Sequence, residues 1–422
     1  MQADITESVQ SSIRPGELKD FYYAGETNSE KAAYPVVCNT KFVQQFTNLG
    51  AGSSQFVVSA NQGVSDMVIA LTMGTVTGST TGLCLPNGWG YNMINRLSVR
   101  YGSSAQYFWT GQQLLLQNAY DVENSQKAAD MLSLGGSFVP ASAGAAGFSG
   151  ANAYLYLKLP HNSIRAAGKP FPFPSDLLVQ PIVITVELYA PITAFQVGTG
   201  AVTTGIPLQL AAAELQVKQE MMSDNSDLLA RRVDMNEHAY TFPLPYFCQQ
   251  EVTTRIPSGS TTAQSINLTG FRAGEVRSII LWLTNDADLN NGLACNWQPL
   301  QNVILTYNGD IFSRFDFGTN GLWALLENSR GAYVPNTIPN LAGTTATSYQ
   351  SVWTECQFSQ VALPSDREVE LVHGKPILNA VVNLQVTVPG TSGNTTQAQT
   401  LHAMYIYNSS LLCSRGSSEY VF

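Results

Sequence analysis

Residues 92–118, NMINRLSVRYGSSAQYFWTGQQLLLQN, place a strand, a turn and a helix in close succession. Leu97, Val99 and Tyr101 alternate with polar residues, the pattern of a strand with one buried face. The Gly-Ser-Ser sequence that follows marks a turn, and the aromatic residues at 107–109 precede a short helical run. The stretch holds almost no residue type used in catalysis, so its role has to be found in the rest of the chain.

The composition favours strands, turns and a surface that partners cover. The chain has 422 residues, more than one domain usually holds, so two domains are the expectation. Hydrophobic residues make up 44%, enough for full cores, whereas charged residues make up only 12%, about half the usual share. Since a monomer with so few charges is poorly protected against association, we expect copies of the chain or other proteins to cover much of its surface.

The charge distribution and the apolar runs argue against two classes of partner. The formal net charge is −9 and no stretch is a lysine or arginine run, so direct nucleic-acid binding is not expected, because neutralising phosphates requires a basic patch. Residues 1–20 have no apolar core and do not resemble a signal peptide. No apolar run approaches the ~18 residues that a membrane-spanning helix needs.

The cysteines are interpreted as small apolar side chains in a reducing compartment, because they are widely spaced and form no C-x-x-C pair. The six cysteines are Cys38, Cys84, Cys248, Cys295, Cys356 and Cys413. The N-x-[ST] sequences at Asn267, Asn394 and Asn408 are interpreted as chance matches, since no secretory signal accompanies them.

Composition divides the chain into an arm and two strand-rich halves. Residues 1–34 are polar and mixed, which predicts an N-terminal arm. Short strands with turn signals at close spacing predict a first β-sandwich at 35–197 and a second at 209–422. Gly, Thr and Pro residues interrupt the strand pattern between them and predict a linker at 198–208. The concentrated charge at 223–238 predicts a surface helix.

Long loops are expected in both halves. Each half has about 200 residues, more than eight strands of ordinary length need. Residues 135–151 are small and Gly-rich, and residues 286–299 form a polar stretch. Both predicted loops are candidates for outward contacts or contacts between subunits.

No catalytic, cofactor-binding or metal-binding residue is predicted. The histidines His161, His238, His373 and His402 lie far apart, without the spacing of a metal site. Nucleophile-elbow and phosphate-loop sequences are also missing. Residues 286–297 have oxygen ligands at calcium-loop spacing, but the twelfth position is a tryptophan instead of a glutamate, so we reject an EF-hand. Paired carboxylates that meet only in the fold stay open.

Six segments, in chain order, resemble the double jelly-roll major capsid proteins of tailless membrane-containing bacteriophages, adenovirus-type hexons and large eukaryotic DNA viruses. In that family, a strand near the position of the first segment is followed by a glycine turn, an aromatic residue and a short helix. The segments are NMINRLSVRYGSSAQYFWTGQQLLLQ (92–117), LKLPHNSIRAAGKPFPFPSDLLVQPIVITVEL (157–188), AAELQVKQEMMSDNSDLLARRVDMNEHAY (212–240), GFRAGEVRSIILWL (270–283), TYNGDIFSRFDFGTNGLWALLENSRGAYVP (306–335) and LHAMYIYNSSLLCSRGSS (401–418).

The resemblance implies an all-β chain of two tandem eight-stranded jelly-roll sandwiches, with short flanking helices and long loops. It implies the major capsid protein of a double-stranded or other DNA virus, which forms homotrimers that are pseudo-hexagonal and tile an icosahedral shell. The expected location is the virion, with assembly in the host cytoplasm or nucleus. Expected partners are neighbouring capsomers, penton and minor or cement proteins, and an internal membrane or membrane protein contacted through the 1–34 arm. No cofactor is expected.

Two other interpretations stay open at this point. A surface or secreted carbohydrate-binding pair of β-sandwiches would share the composition, but the chain shows no secretion or anchor signal. An enzyme with jelly-roll architecture, such as a glycosidase or a cupin-type metal enzyme, would share the strand pattern, but the histidines are few and scattered.

Overall fold

Strands dominate a computed structural model of the chain. The structure describes residues 36–38, 52–58, 63–74, 83–85, 87–120, 133–137, 150–157, 159, 165–166, 169–170, 173–175, 178–189, 195–196, 210–221, 239–247, 251–260, 262–268, 275–286, 297–298, 300, 302–316, 333–337, 348–357, 375–376, 381–388, 398–414 and 417–421. The predicted arm at 1–34, linker at 198–208 and helix at 223–238 lie outside these residues.

The first sandwich has two main sheets. Its elements are β1 (Val36–Cys38), β2 (Gly52–Val58), β3 (Gly63–Met73), β4 (Leu83–Cys84), α1 (Trp89–Met93), β5 (Ile94–Tyr101), β6 (Tyr107–Trp109), α2 (Gly111–Tyr120), β7 (Asn152–Leu157), β8 (Arg165–Ala166), β9 (Lys169–Pro170), β10 (Phe173–Pro174), β11 (Ile182–Leu188), β12 (Phe195–Gln196) and β13 (Leu210–Met221). One sheet has the order β1-β13-β3-β10, with β7 also paired with β3, and the other has the order β2-β11-β5-β6. The short strands pair as β4–β12 and β8–β9.

The second sandwich also has two sheets. Its elements are β14 (Ala239–Phe247), β15 (Glu251–Ile256), β16 (Gln264–Leu268), β17 (Glu275–Asn285), β18 (Trp297–Gln298), β19 (Asn302–Tyr307), β20 (Asp310–Asp316), β21 (Tyr333–Thr337), β22 (Ser348–Gln357), β23 (Lys375–Pro376), β24 (Val382–Thr387), β25 (Gln399–Ser414) and β26 (Ser417–Val421). The larger sheet has the order β14-β25-β17-β22-β21, and β26 extends it by pairing with β25. The smaller sheet has the order β16-β24-β19-β20.

The two sandwiches repeat one strand order. The sheet β2-β11-β5-β6 corresponds strand by strand to β16-β24-β19-β20, and the pair β13–β3 corresponds to β25–β17. By this correspondence, β13 is the last strand of the first sandwich, just as β25 is the last long strand of the second.

This position of β13 differs from the predicted domain limits, which put it at the start of the second half. Leu210–Met221 pairs antiparallel with β3 along nearly its whole length, and its buried residues Leu215 and Val217 complete the core of the first sandwich. The Gly-, Thr- and Pro-rich sequence before residue 210 therefore does not mark the start of the second sandwich, because a change in local composition does not show which sheet the next strand joins.

The strand, turn and helix predicted from residues 92–118 are confirmed. The three predicted core residues of β5 are buried. Gly102, at the turn, has a left-handed φ of 59°, a conformation that glycine adopts without steric cost. Ser98 is also buried, and it accepts a hydrogen bond of 2.7 Å from the Gln106 side chain.

The strands β17 and β25 are buried on both faces. Ile279 and Leu281 point into the core of the second sandwich, whereas Ile280, Trp282 and, on β25, Met404 join the core of the first. Covering on both faces is the reason that β17 is a nearly continuous apolar run. The larger sheet of the second sandwich is therefore the wall between the two sandwiches.

Candidate functional site at the junction of the two sandwiches

The titratable residues do not assemble into a catalytic or metal-binding group in the part of the chain that the structure describes. No cluster of three or more His, Cys, Asp or Glu side chains there could hold a metal ion. His402 contacts the Thr284 hydroxyl at 2.9 Å through Nε2 and stacks on the Trp282 ring at 4.8 Å. It is a core histidine with its polar contacts made. His161, His238 and His373 lie outside the described residues.

The contact between the two sandwiches combines apolar packing with buried hydrogen bonds, and one part of it is the turn after β5. The Ser104 backbone N–H donates to Ser418 Oγ at 3.1 Å, and Ser418 Oγ donates to the Tyr101 carbonyl at 2.5 Å. The Ser418 backbone N–H donates to Ser103 Oγ at 2.8 Å. Residues more than 300 positions apart thus satisfy each other's polar groups, which ties β26 to the turn.

Gly102 is required at this turn for a second reason besides its backbone conformation. A Cβ at this position would lie 2.8 Å from Ser418 Oγ and 3.2 Å from Leu178 Cδ2. Any larger residue would push β26 away from the turn, so close approach of the two sandwiches depends on this glycine.

Aromatic side chains fill the space beside the turn. The rings of Tyr107 and Tyr420 lie 6.1 Å apart across the junction, and Tyr107 also packs edge-on against Trp109 at 4.4 Å. Burial raises the pKa of Tyr420 well above its ordinary value. Burial likewise raises the pKa of the Cys413 thiol to about 12. Cys413 is buried and Tyr420 is partly buried against the core of the first sandwich.

The helix α2 forms the other part of the contact. The Trp282 indole N–H donates to Gln112 Oε1 at 2.7 Å, and both groups are buried. Trp297 lies beside Trp282, with 6.1 Å between ring centroids. The helix of the first sandwich is therefore fixed to the wall sheet of the second by one short hydrogen bond within an apolar surround, where such a bond is costly to break.

The start of α2 is fixed by its own sequence. Thr110 Oγ1 accepts a hydrogen bond from the Gln113 backbone N–H at 3.2 Å, and Gln113 Oε1 accepts one from the Thr110 backbone N–H at 2.9 Å. This reciprocal pair is a capping box, which satisfies two of the free donors at a helix start. Further along, Asn118 Nδ2 donates to Tyr91 Oη at 3.0 Å and to the Tyr156 carbonyl at 3.1 Å.

The predicted loop at 135–151 begins with two glycines that pack tightly against α1. A Cβ on Gly135 would overlap the Tyr91 ring, and a Cβ on Gly136 would overlap the Trp89 indole. The Gly90 N–H also donates to the Gly135 carbonyl at 2.8 Å. These positions can pack so closely because glycine has no side chain. Residues 138–149 of the loop lie outside the described residues.

The second predicted contact loop, 286–299, has both ends in the folded body. Asp286 accepts a hydrogen bond from Thr400 Oγ1 at 2.8 Å and lies 3.2 Å from Arg255 Nε. Trp297, which stands where a calcium loop would have its glutamate, is buried at the junction. Residues 287–296, between these two ends, lie outside the described part of the chain.

Other residues singled out in the sequence have ordinary structural contacts. Cys413 is buried and free, as expected for a small apolar side chain. Asn267 accepts a hydrogen bond of 2.7 Å from Asn383 across the exposed face of the smaller second sheet. None of the helices that the structure describes has the length and apolar character to cross a bilayer.

The sequence patterns did not predict most of the residues that form the contact between the two sandwiches. One usable signal was the continuous apolar run of β17, which indicates a strand with both faces covered. The role of Ser418 had no such signal, because serine is common and its partners lie at the opposite end of the chain.

Comparison with solved structures identifies the fold of the chain. No protein-family model and no curated protein sequence matches the chain. Among solved structures, a chain of the PBCV-1 virus capsid superposes with a TM-score of 0.57 at 11% identity, covering 94% of this chain and 99% of that one. A chain of the Sputnik virophage gives 0.53 at 11% identity, covering 94% and 91%. The mavirus major capsid protein gives 0.50 at 10% identity, covering 95% and 94%. The chain therefore has the double jelly-roll fold of these viral capsid proteins.

Proposed function

We propose that this chain is the major capsid protein of a DNA virus, and that it assembles as pseudo-hexagonal homotrimers that tile an icosahedral shell. The observation that carries the proposal is the junction. The core of the first sandwich continues onto the outer face of the wall sheet, and the buried Trp282–Gln112 hydrogen bond lies in the same contact, so the two sandwiches form a single rigid block. A building block of a shell needs a fixed shape above all, and interiors packed in this way deform little.

The composition of the chain supports the same role. Only 12% of its residues are charged, which suits a protein whose surface is largely covered by copies of itself. An open sheet edge such as β20 would be covered in an assembly instead of being left to pair at random. The role is structural, and no catalytic residue is assigned.

The remaining partners follow from the capsid role. We place the protein in the virion shell, in contact with neighbouring capsomers and with penton and minor or cement proteins. The 1–34 arm would lie at the inner face and contact a minor protein or an internal membrane, because its modest charge does not suit binding to DNA. Assembly would take place in the cytoplasm or nucleus of the host cell.

The oligomeric state of the purified chain tests the proposal. Light scattering coupled to size exclusion is expected to give three times the chain mass of 45.6 kDa, and negative-stain images of that peak should show hexagonal outlines. A monomer that stays monomeric at all concentrations and binds glycans on an array would contradict the capsid role and favour a carbohydrate-binding pair of sandwiches.

A further inference from the structure

One sheet face of the first sandwich has the composition of a contact surface and is partly open. On the outer side of β7, β3 and β13, Tyr154 is 38% exposed, and Tyr156 and Val68 are half-buried. Tyr154 lies opposite Ala70, and Tyr156 lies opposite Val68. We call these four residues the tyrosine face. Tyrosines beside small apolar residues are typical of the centre of a protein interface, and the charged residues Asp66 and Glu214 lie at the margin of this face.

The corresponding face of the second sandwich is already covered. There, β17 and β25 take the places of β3 and β13, and their outward residues Ile280, Trp282 and Met404 are buried against the first sandwich. The covering segment is the β5–β6 hairpin with α2, which contacts this sheet through the turn at 102–104 and through Gln112. Among the residues that the structure describes, equivalent sheets in the two halves therefore differ in how far another part of the chain covers them.

The second sandwich has its own copy of the covering segment. The β19–β20 hairpin corresponds to the β5–β6 hairpin in strand order. Near its tip, Ile311 of β20 is 62% exposed, and Val381, which precedes β24 and contacts Asn308 of the turn, is 65% exposed. Two exposed aliphatic side chains at the same end of one sheet are a feature that contact with a partner would explain.

The tip of this hairpin is held in one conformation. The Asn308 N–H donates to the Val381 carbonyl at 2.8 Å, and the Val381 N–H donates to Asn308 Oδ1 at 2.9 Å. Asn308 and Gly309 both have left-handed φ angles, of 52° and 92°, which suit the tight turn of a two-residue hairpin. The backbone that carries Ile311 and Val381 is thus fixed before binding, so little conformational entropy would be lost when a partner binds.

We infer that the tyrosine face of one copy of the chain is covered by the β19–β20 hairpin tip of a second copy. The contact between chains then repeats the contact that the first sandwich makes with the second within the chain. The inference rests on the proposed trimer and names its interface. A head-to-tail contact of this kind closes into a ring when three copies complete the rotation. Arg314 of β20, which is exposed, and Glu214 beside the tyrosine face supply opposite charges across it.

Photo-crosslinking with isotope mixing tests which surfaces meet. Benzoylphenylalanine is placed at Tyr154, and chains carrying ¹⁴N and ¹⁵N are mixed before assembly. Mass spectrometry is expected to find position 154 joined to peptides from 302–316 or from the segment containing Val381, with mixed isotope labels that prove a contact between chains. The matched control carries the same group at Gln55, which is exposed on β2, and is expected to give no such product.

Charge insertion provides a second test that depends on assembly. Tyr154→Arg and Ile311→Arg are each expected to lower the association constant at least tenfold, as loss of a central contact does, while Gln55→Arg leaves it unchanged. Mixing the Tyr154→Arg and Ile311→Arg chains should restore heterodimers but not trimers, because only one of the two possible contacts between them is intact. Circular dichroism shows that each variant is folded.

The outcomes separate this inference from the proposed function. Trimers whose cross-links map to other surfaces, or that tolerate both arginine variants as well as Gln55→Arg, would overturn the inference and leave the capsid role standing. A wild-type chain that never forms trimers would overturn the capsid role itself.

Discussion

Replacing Gly102 with alanine is expected to loosen the contact between the two sandwiches. Gly102 has a φ of 59°, where alanine costs about 1–2 kcal/mol of backbone strain. The new Cβ would also meet Ser418 Oγ at 2.8 Å. Displacing Ser418 breaks two of its hydrogen bonds to the turn, at about 0.5–1.5 kcal/mol each. We therefore expect the free energy of unfolding to fall by about 2–5 kcal/mol.

Gly150→Ala is the matched control for the backbone strain that alanine causes at a left-handed φ. Gly150 has a similar φ of 73°, but no atom lies within 4 Å of the Cβ that alanine would add. This variant is expected to lose only the strain energy of about 1–2 kcal/mol. Both variants are unfolded in urea and followed by tryptophan fluorescence. All samples are compared at one chain concentration, because assembly makes apparent stability depend on concentration.

A double variant identifies the atom responsible. Ser418→Ala removes the hydroxyl that the new methyl group meets, so its combination with Gly102→Ala should cost about 1 kcal/mol less than the sum of the two single changes. The reasoning is refuted if Gly102→Ala loses no more stability than Gly150→Ala, or if the effects of Gly102→Ala and Ser418→Ala simply add.

Three further changes test other parts of the junction and its surroundings. Trp282→Phe removes the indole donor and leaves the buried Gln112 carbonyl oxygen without it; we expect a loss of about 1–3 kcal/mol in urea unfolding, partly recovered when Gln112→Leu is added. Gly135→Ala places a methyl group against the Tyr91 ring and should cost about 1–3 kcal/mol in the same assay; an unchanged midpoint would contradict that packing. Burial raises the pKa of Cys413 from 9.0 to about 12. The unfolded chain therefore releases this proton at lower pH than the folded chain, so stability should fall as pH rises from 9 towards 12. Cys413→Ala should reduce this loss of stability at high pH. Identical stability–pH profiles for the wild-type chain and the variant would contradict the role of Cys413.

Interactions between residues close in sequence account for the strand, the turn and the helix start at 92–118. The alternation in β5, the glycine turn and the capping pair Thr110 and Gln113 involve residues a few positions apart. Such interactions act within one strand or one helical turn, so they can be read from the sequence directly. The low charge, likewise, follows from composition alone and predicts a covered surface.

The pairing of the strands could not be predicted in this way. The strand Leu210–Met221 has an ordinary alternating pattern, and its apolar face would suit either sandwich. Its place beside β3 depends on pairing with a strand about 140 residues earlier. A period of two specifies which face of a strand is buried but not against what it is buried.

The sequence by itself determined a β-rich chain of two strand-rich halves, with a strand, turn and helix at 92–118. Only the tertiary structure decided that β13 closes the first sandwich, that β17 and β25 form the wall between the sandwiches, and that Ser418 holds the turn beside Gly102. The physical reason is distance along the chain. Hydrophobic alternation and helix caps arise from neighbouring residues, whereas the junction brings together groups more than 300 residues apart, and their meeting depends on how the whole chain packs.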